Sequence, residues 1–319
     1  MTDNRLRFSI VVPTRNEERD IGPVLDRLVG LSYPRKEMLV VDDSTDQTPL
    51  IVSRYASRGV QLLPGSNRGR CAARNQGILA AKGEIVVILN ADVLLPEDFL
   101  ERIHRHYRSG ADYILVETKV SNIESVYGRF IQALHQSCYR GAGWIEWTEG
   151  FSCRKACALE VGLFPDLPFP RVSGEDGFFG MKLSNKGYRK VLDRSIVVQQ
   201  IAPRDWREFW RQRKERGLPF AKAFLEGCGN CHLLAWALGR TVLYLAQLAS
   251  VMPILWKAFS LARSSPFGLR DFLLFTWLYA AERVAFVSAT WYGMWVILRR
   301  TTANSTGSES EPILRASSQ

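Results

Sequence analysis

The sequence predicts an α/β fold. A mainly parallel, Rossmann-like doubly wound sheet is flanked by helices and followed by a helical hairpin suited to a membrane. Three observations carry this. Short β-rich runs alternate with helix-period segments from Phe8 to Val116. Polar, mostly acidic residues stand at the exits of three of those runs. Two long, nearly uncharged segments lie beyond residue 232.

Phe8–Val12 is an apolar strand stopped by Pro13, which has no N–H to give a ladder. A helix follows from Glu17, with Ile21, Val24, Leu25 and Leu28 on one face at i, i+3, i+4, i+7 spacing. Met38–Val41 is a second strand and ends in Asp42-Asp43. Thr48 reads as an N-cap, with Pro49 in the first turn of the next helix. Val60–Leu63 is a third strand, and Ala-rich Arg70–Ala81 a helix that Gly83 ends. Ile85–Leu89 is unbroken apolar sequence, as a strand buried on both faces requires, and it runs into Asn90-Ala91-Asp92. Pro96 opens another helix, and Tyr113–Val116 is a further strand.

In such a sheet, ligands bind beyond the C-terminal ends of the strands. Thr14–Glu17, Asp42–Asp46 and Asn90–Asp92 are therefore expected to converge on one crevice. For Asp43, Ser44 and Asp46 the alternative is an Asx-type turn that caps the next helix.

Residues 120–200 are less regular. They hold Gly174-Glu175-Asp176-Gly177 in a loop, then a helix, then Ser195–Val198 as a strand. Pro203–Lys222 mixes Trp206, Phe209, Trp210 and Phe220 with basic residues. Leu233–Trp256 carries Arg240 as its lone charge, and Phe272–Leu298 is interrupted only by Glu282-Arg283. Both reach the roughly 20 residues a spanning helix needs. Spanning is favoured over an interfacial arrangement, although these three charges are costly at mid-bilayer. A hairpin would return both ends to one side, with Arg299-Arg300 favouring a cytoplasmic tail. The expected boundaries are an α/β domain over 1–203, a basic aromatic connector over 204–232, two membrane helices over 233–300 and a disordered Ser/Glu-rich tail over 301–319.

Charge follows the same division. Residues 204–319 carry 15 Lys+Arg against 8 Asp+Glu, most of the chain's net +10. Basicity concentrated where the chain is most apolar points to an anionic membrane surface and away from nucleic acid. The six cysteines show no disulfide framework, and the polar Met1–Arg7 has no apolar run behind it. Both favour a reducing location. Cys228-Gly229-Asn230-Cys231-His232 fits a haem-attachment pattern, but that needs an exported chain. Zinc on Cys153, Cys157, Cys228 and Cys231 would need irregular separations. Ordinary juxtamembrane cysteines are the simpler reading, and His104 and His106 read as residues of a surface helix.

Four stretches in order resemble the successive motifs of family 2 glycosyltransferases, from roughly Phe8 to Gly217. They are VVPTRNEE (Val11–Glu18), VVDDSTDQT (Val40–Thr48), NRGRCAARNQGILAAKGEIVVILNADV (Asn67–Val93) and GEDGFFGMKLSNKGYR (Gly174–Arg189). EGFSCRKACALEVGLFPD (Glu149–Asp166) is similar to that family's acceptor-side segment. The resemblance implies a GT-A fold and a nucleotide-diphosphate sugar donor. It implies nucleotide-sugar binding by Pro13, Thr14, Arg15, Asn16, Glu17, Asp42, Asp43, Arg70, Asn90 and Asp92. It further implies Mg²⁺ or Mn²⁺ on Asp92, and catalysis by Asp176 with Glu175 beside it.

The chemistry asks for those residue types. The leaving diphosphate develops charge that a divalent cation on oxygen ligands can take up. The acceptor hydroxyl must lose its proton to a carboxylate as it attacks. Two departures stand out. The family's Asp-x-Asp reads Asn90-Ala91-Asp92, which removes one charge, and the position of a metal-binding His reads Gln199-Gln200. Arg211, Arg213, Lys214 or Arg216 could supply positive charge instead, unless that helix simply faces the membrane. Asn90→Asp is expected to be tolerated.

The expected function is inverting transfer of a sugar to a membrane-associated acceptor, such as a polyprenyl phosphate, a lipid-linked glycan or a glycolipid, at the cytoplasmic face of a membrane. A catalytically reduced nucleotide-sugar-binding protein is the rival reading, and a membrane protein whose N-terminal domain serves assembly is another.

Overall fold

The computed structural model describes residues 5–139, 145–165, 173–219, 222–223 and 226–305. Asp166, Phe220 and the tail beyond Ser305 lie outside the described residues.

Eight strands form one mixed sheet: β1 Phe8–Thr14, β2 Lys36–Asp42, β3 Val60–Pro64, β4 Ile85–Ile88, β5 Val93–Leu94, β6 Tyr113–Val120, β7 Ser152–Arg154 and β8 Lys190–Gln200. Their order is β3-β2-β1-β4-β7-β6-β8-β5. The first four are mutually parallel, while β7 pairs antiparallel with both β4 and β6. Chain order reverses between β1 and β4, so the switch point of the sheet opens there.

Helices cover both faces. α1 (Ile21–Gly30) and α4 (Phe99–Arg108) cover one side, and α3 (Arg70–Ala80), α6 (Lys155–Glu160) and α7 (Glu175–Asn185) the other. β1 shows the alternation: Phe8, Ile10 and Val12 enter the first core, Val11 the second. α2 (Thr48–Ser53) has Pro49 in its first turn, as expected, but Thr48 is not its cap. The Thr48 hydroxyl instead accepts from the Glu17 amide at 2.9 Å, and Asp46 accepts from the Thr48 amide.

α5 (Val126–Tyr139) and α8 (Trp206–Gly217) follow, and then three apolar helices. The first apolar stretch breaks at Val251, whose φ is 58°, just before Pro253. It therefore forms α9 (Asn230–Ser250) and α10 (Met252–Ala262) rather than one helix to Trp256. The second stretch, α11 (Leu269–Ser305), continues four residues past Thr301, where a disordered tail was expected to begin. α9 and the 269–299 part of α11 are long and apolar enough to cross a membrane.

The charges in these helices are accommodated by the rest of the chain. Glu282 pairs with Arg213 of α8 at 3.0 Å, and Asp271 takes a bidentate pair from Arg129 of α5 at 2.7 and 2.8 Å. The Arg240 guanidinium lies 4.9–5.4 Å from the ring centroids of Trp236, Tyr244 and Phe286. These are cation–π distances.

Candidate active site

The loops after β1 and β2 are laced together at the crevice. Asp42 accepts from the hydroxyls of Thr14 and Ser44, both at 2.6 Å. Asn16, at φ 59°, donates its amide to the Ser44 hydroxyl and accepts from the Thr45 amide. Asp46 Oδ1 accepts from the Thr48 amide two residues on, so the Asx-type turn belongs to Asp46 and not to Asp43. Asp43 reaches across to the β3–α3 loop, where Oδ1 accepts from the Asn67 amide at 2.7 Å. A Cβ at Gly65 would collide with that same oxygen, which is why the loop needs glycine there. Pro13 is half-buried in β1, and Arg15 is exposed at the rim.

Beyond β4 the polar residues form a wire. Arg74, on α3, is fully buried; it donates to Glu175 Oε1 at 3.1 Å and to Asn90 Oδ1 at 3.0 Å. The Asn90 amide nitrogen then donates to Glu149 Oε2 at 2.9 Å. Asn90 thus bridges a guanidinium and a carboxyl group, accepting from one and donating to the other, and an aspartate has no N–H for the second bond. Arg70, one turn before Arg74 and half-exposed, also reaches Glu175 at 3.4 Å. Burial alone would lower its pKa, but the carboxylates of Glu175, Glu215, Asp176 and Asp92 hold it above its ordinary value. The signal for Arg74 was present in the sequence: a charge four residues after Arg70 in an Ala-rich helix shares its face.

Asp92 sits where β5 pairs with β8. Its Oδ2 accepts from Gln200 Nε2 at 3.2 Å, and its backbone carbonyl accepts from the Ile201 amide at 2.8 Å. Its Oδ1 is buried without a hydrogen-bond partner. A buried unpaired carboxylate oxygen is costly, and a cation would satisfy it. Gln200 stands in the region where the resemblance implies a metal-binding histidine, and its amide can turn a carbonyl oxygen toward a hard ion. Among the described residues no three His, Cys, Asp or Glu side chains form a metal cluster. The oxygen donors therefore fit a divalent ion only if a ligand's own oxygens complete its shell. Cys153 and Cys157 are buried, Cys228 is half-buried and Cys231 is exposed, and none of them is in a disulfide. His106 pairs with Asp193 at 2.8 Å on α4, a structural contact.

The crevice is electrostatically crowded. Burial pushes Glu17 up to about 8, with Asp92 and Asp20 adding repulsion. Burial, then Asp92 and Asp176, pushes Glu149 up to about 8. Asp92 itself is raised by burial and by Asp20, with Gln200 and Arg70 opposing. Arg211 acts on Glu17 and Arg216 on Glu149, so two of the basic residues of α8 face the crevice. Arg213 does not, being committed to Glu282.

α7 starts at the crevice floor. Glu175 is almost fully buried in its pair with Arg74, which anchors the first turn. Asp176 is more open and accepts from the Gly177 amide at 2.7 Å. The structure thus brings Glu17, Arg70, Asn90, Asp92, Glu175 and Asp176 together, and adds Arg74, Glu149 and Gln200. Asp42 and Asp43 are engaged mainly in holding loops.

A doubly wound sheet with this carboxylate-lined switch point defines the GT-A class of fold. Solved structures agree. A mannosyltransferase from Pyrobaculum calidifontis, in complex with GDP-Man and Mn²⁺, aligns with TM-score 0.58 at 21% identity over 92% of this chain and 88% of its own. Staphylococcus aureus TarS with UDP-GlcNAc aligns with TM-score 0.52 at 17% identity, over 96% and 93%.

Residues 9–167 match the family model "Glycosyl transferase family 2", and the chain belongs to that family. A Synechocystis β-monoglucosyldiacylglycerol synthase is 34% identical over 108 residues, 31% of this chain and 22% of its own. A Staphylococcus aureus poly-β-1,6-N-acetyl-D-glucosamine synthase is 23% identical over 258 residues, 76% of this chain and 60% of its own. The chain thus matches only part, a fifth to three fifths, of the length of such curated relatives.

Proposed function

We propose that this chain transfers a sugar from a nucleotide-diphosphate donor to a membrane-associated acceptor, with inversion, by one direct displacement. The observation that carries the reading is the convergence of Asp92, with its unpartnered Oδ1, and Asp176 on one crevice at the β1/β4 switch point. Family membership and neighbours that bind GDP-Man and UDP-GlcNAc support it.

The loops after β1 and β2, through Pro13–Glu17 and Asp42–Asp43, take the base and ribose of the donor. Asp92 and the Gln200 amide oxygen would hold Mg²⁺ or Mn²⁺, which supplies positive charge to the departing diphosphate. Arg70, at the N-terminal end of α3, adds a fixed cation beside the same phosphates. The acceptor oxygen attacks the anomeric carbon as the bond to the diphosphate breaks, and the bonding pair leaves on the diphosphate oxygen. Asp176 takes the acceptor proton. Glu175, locked on Arg74, positions Asp176 and stays out of the proton transfer. The acceptor is a lipid-borne hydroxyl or phosphate, delivered beside the apolar helices at the cytoplasmic face.

The test pairs donor binding with turnover. A thermal-shift screen of nucleotide sugars, with and without Mn²⁺, should find a stabilising donor whose effect is larger with the ion. Asp176→Asn should keep that shift and lose transfer by about 10²–10⁴-fold, and Asp92→Ala should lose the ion-dependent part. Full turnover in Asp176→Asn, or donor binding indifferent to metal, would overturn the assignment of roles.

A further inference from the structure

We propose that α9–α11 lie in the plane of one membrane leaflet, as a docking platform for an anionic lipid surface, and do not cross the bilayer. The membrane as partner rests on the reading above; the in-plane geometry is independent of the transfer chemistry.

One face of α11 forms a buried stripe. Asp271, Phe275, Leu278, Glu282, Ala289 and Ile297 are buried at helical spacing along the whole apolar length. Part of this stripe meets the α/β domain and its connector, and the rest packs on α9 and α10. Asp271 pairs with Arg129, and Phe275 packs edge-on against Phe130 at 5.3 Å. Glu282 pairs with Arg213, and the Thr290 hydroxyl bonds the Gly217 carbonyl at 3.2 Å. Gly293 lies against Pro219 so closely that a Cβ would clash.

The contact therefore runs from residue 271 to 293, about 33 Å at 1.5 Å per residue. That matches the roughly 30 Å hydrocarbon thickness of a bilayer. If α11 crossed, α8 and part of α5 would cross beside it. Yet residues 206–217 of α8 hold five basic and two acidic side chains. Such a segment does not enter hydrocarbon. α10 repeats the pattern on a smaller scale. It is only 11 residues long, and its inner side packs on α5, with Lys257 bonded to Ser137 at 2.8 Å and Ala258 and Leu261 in one core with Phe130.

The outer face says what covers it. Leu273 is 63% exposed, Trp256 74% and Val242 66%, one on each of the three helices. Trp277, Tyr292 and Trp295 add amphipathic rings to that surface, the residue types favoured at a membrane interface. Between residues 230 and 299 there are six Lys+Arg and two Asp+Glu. Both acids are buried in ion pairs, whereas Arg263, Arg270 and Arg299 are exposed. An apolar face rimmed by an excess of exposed basic side chains is complementary to an anionic leaflet.

The test uses the full chain with Cys138, Cys228 and Cys231 changed to Ser, added to preformed sealed vesicles of roughly three parts phosphatidylcholine to one of phosphatidylglycerol. Ser264→Cys reports the α10–α11 turn, and Ser57→Cys reports the α/β domain. With a membrane-impermeant maleimide, both sites should label equally without detergent, and the protein should float with the vesicles. Leu273→Glu with Trp277→Glu should cut flotation about tenfold or more, through loss of apolar insertion. Protection of Ser264→Cys until detergent is added would mean a crossing, and would overturn the in-plane geometry while leaving membrane association intact. Absence of flotation, or flotation unchanged in the double variant, would overturn the platform itself.

Discussion

At the scale of single residues, Asn90 is where the structure changes the reading most. As a defective first aspartate, it should accept Asn90→Asp. The hydrogen bonds reverse that expectation. Asn90 donates to Glu149 and accepts from Arg74, so an aspartate would lose the donated bond and, wherever Glu149 is ionised, set a second carboxylate against it. Like charges at that distance cannot both ionise cheaply. Asn90→Asp should therefore lower both stability and turnover, and adding Glu149→Gln should restore a large part of each. The pH dependence provides a second readout. Glu149 is held near 8 in the fold, against an ordinary value of 4.5. Its raised pKa means that the folded state keeps a proton the unfolded chain has lost. Its contribution to stability is therefore whole below about pH 4.5, falls as pH rises, and is gone above about pH 8. Melting of the metal-free protein should show that decline, and Glu149→Gln should flatten it. An unchanged slope in Glu149→Gln would remove this account. The carboxylates of the site were legible in sequence because they stand at strand exits. The wire through Arg74 and Glu149 was not, because its members lie 16 and 59 residues from Asn90 and meet only when α3, β4 and the segment before β7 pack together.

At the scale of elements, long regular runs are legible in the sequence and short ones are not. β2 and β4 announce themselves by unbroken apolar sequence, β1 by a β-rich run broken only at Ser9, and α1 by its spacing. β5 has two residues and β7 three, too few to show a period. β8 begins five residues before the expected strand, because Lys190–Arg194 is partly exposed and polar. α5 was not read, since aromatic and polar residues share its surface. α7 carries Asp176 in its first turn. Its Gly180 lies against the Glu146 carbonyl so closely that a Cβ cannot fit without backbone movement. Ala normally improves a helix interior by about 1 kcal/mol over Gly. Here Gly180→Ala should instead destabilise by about 1–3 kcal/mol, an overpacking cost. It should also lower kcat more than it raises the donor KM, because α7 aims the base. Gly177→Ala, with open space around its Cβ, is the stability control and should be neutral or stabilising. Denaturant melts of the two variants separate packing from propensity.

At the scale of the whole molecule, the apolar segments were legible and their docking was not. Hydropathy gives length and lipid affinity, but it cannot show that Asp271 meets Arg129 across 142 residues, or Glu282 meets Arg213 across 69. The first pair fastens α11 to the α/β domain itself, and the second fastens it to α8 of the connector. The Arg129–Asp271 pair tests the idea, because Asp271 is fully buried and Arg129 also caps the Ile123 and Glu124 carbonyls. Removing one partner of a buried pair leaves an uncompensated charge and costs about 3–5 kcal/mol, whereas replacing both with apolar side chains is often near neutral. Arg129→Met alone should therefore destabilise the detergent-solubilised protein strongly, by that amount in reversible denaturant unfolding. Asp271→Leu alone should cost nearly as much, since Arg129 would keep its guanidinium beside an apolar wall. The double variant should recover much of the loss, giving a coupling energy well above the roughly 0.5 kcal/mol seen between independent sites. Purely additive losses would mean that α11 is held by its apolar stripe alone, and that the ion pair merely tolerates burial.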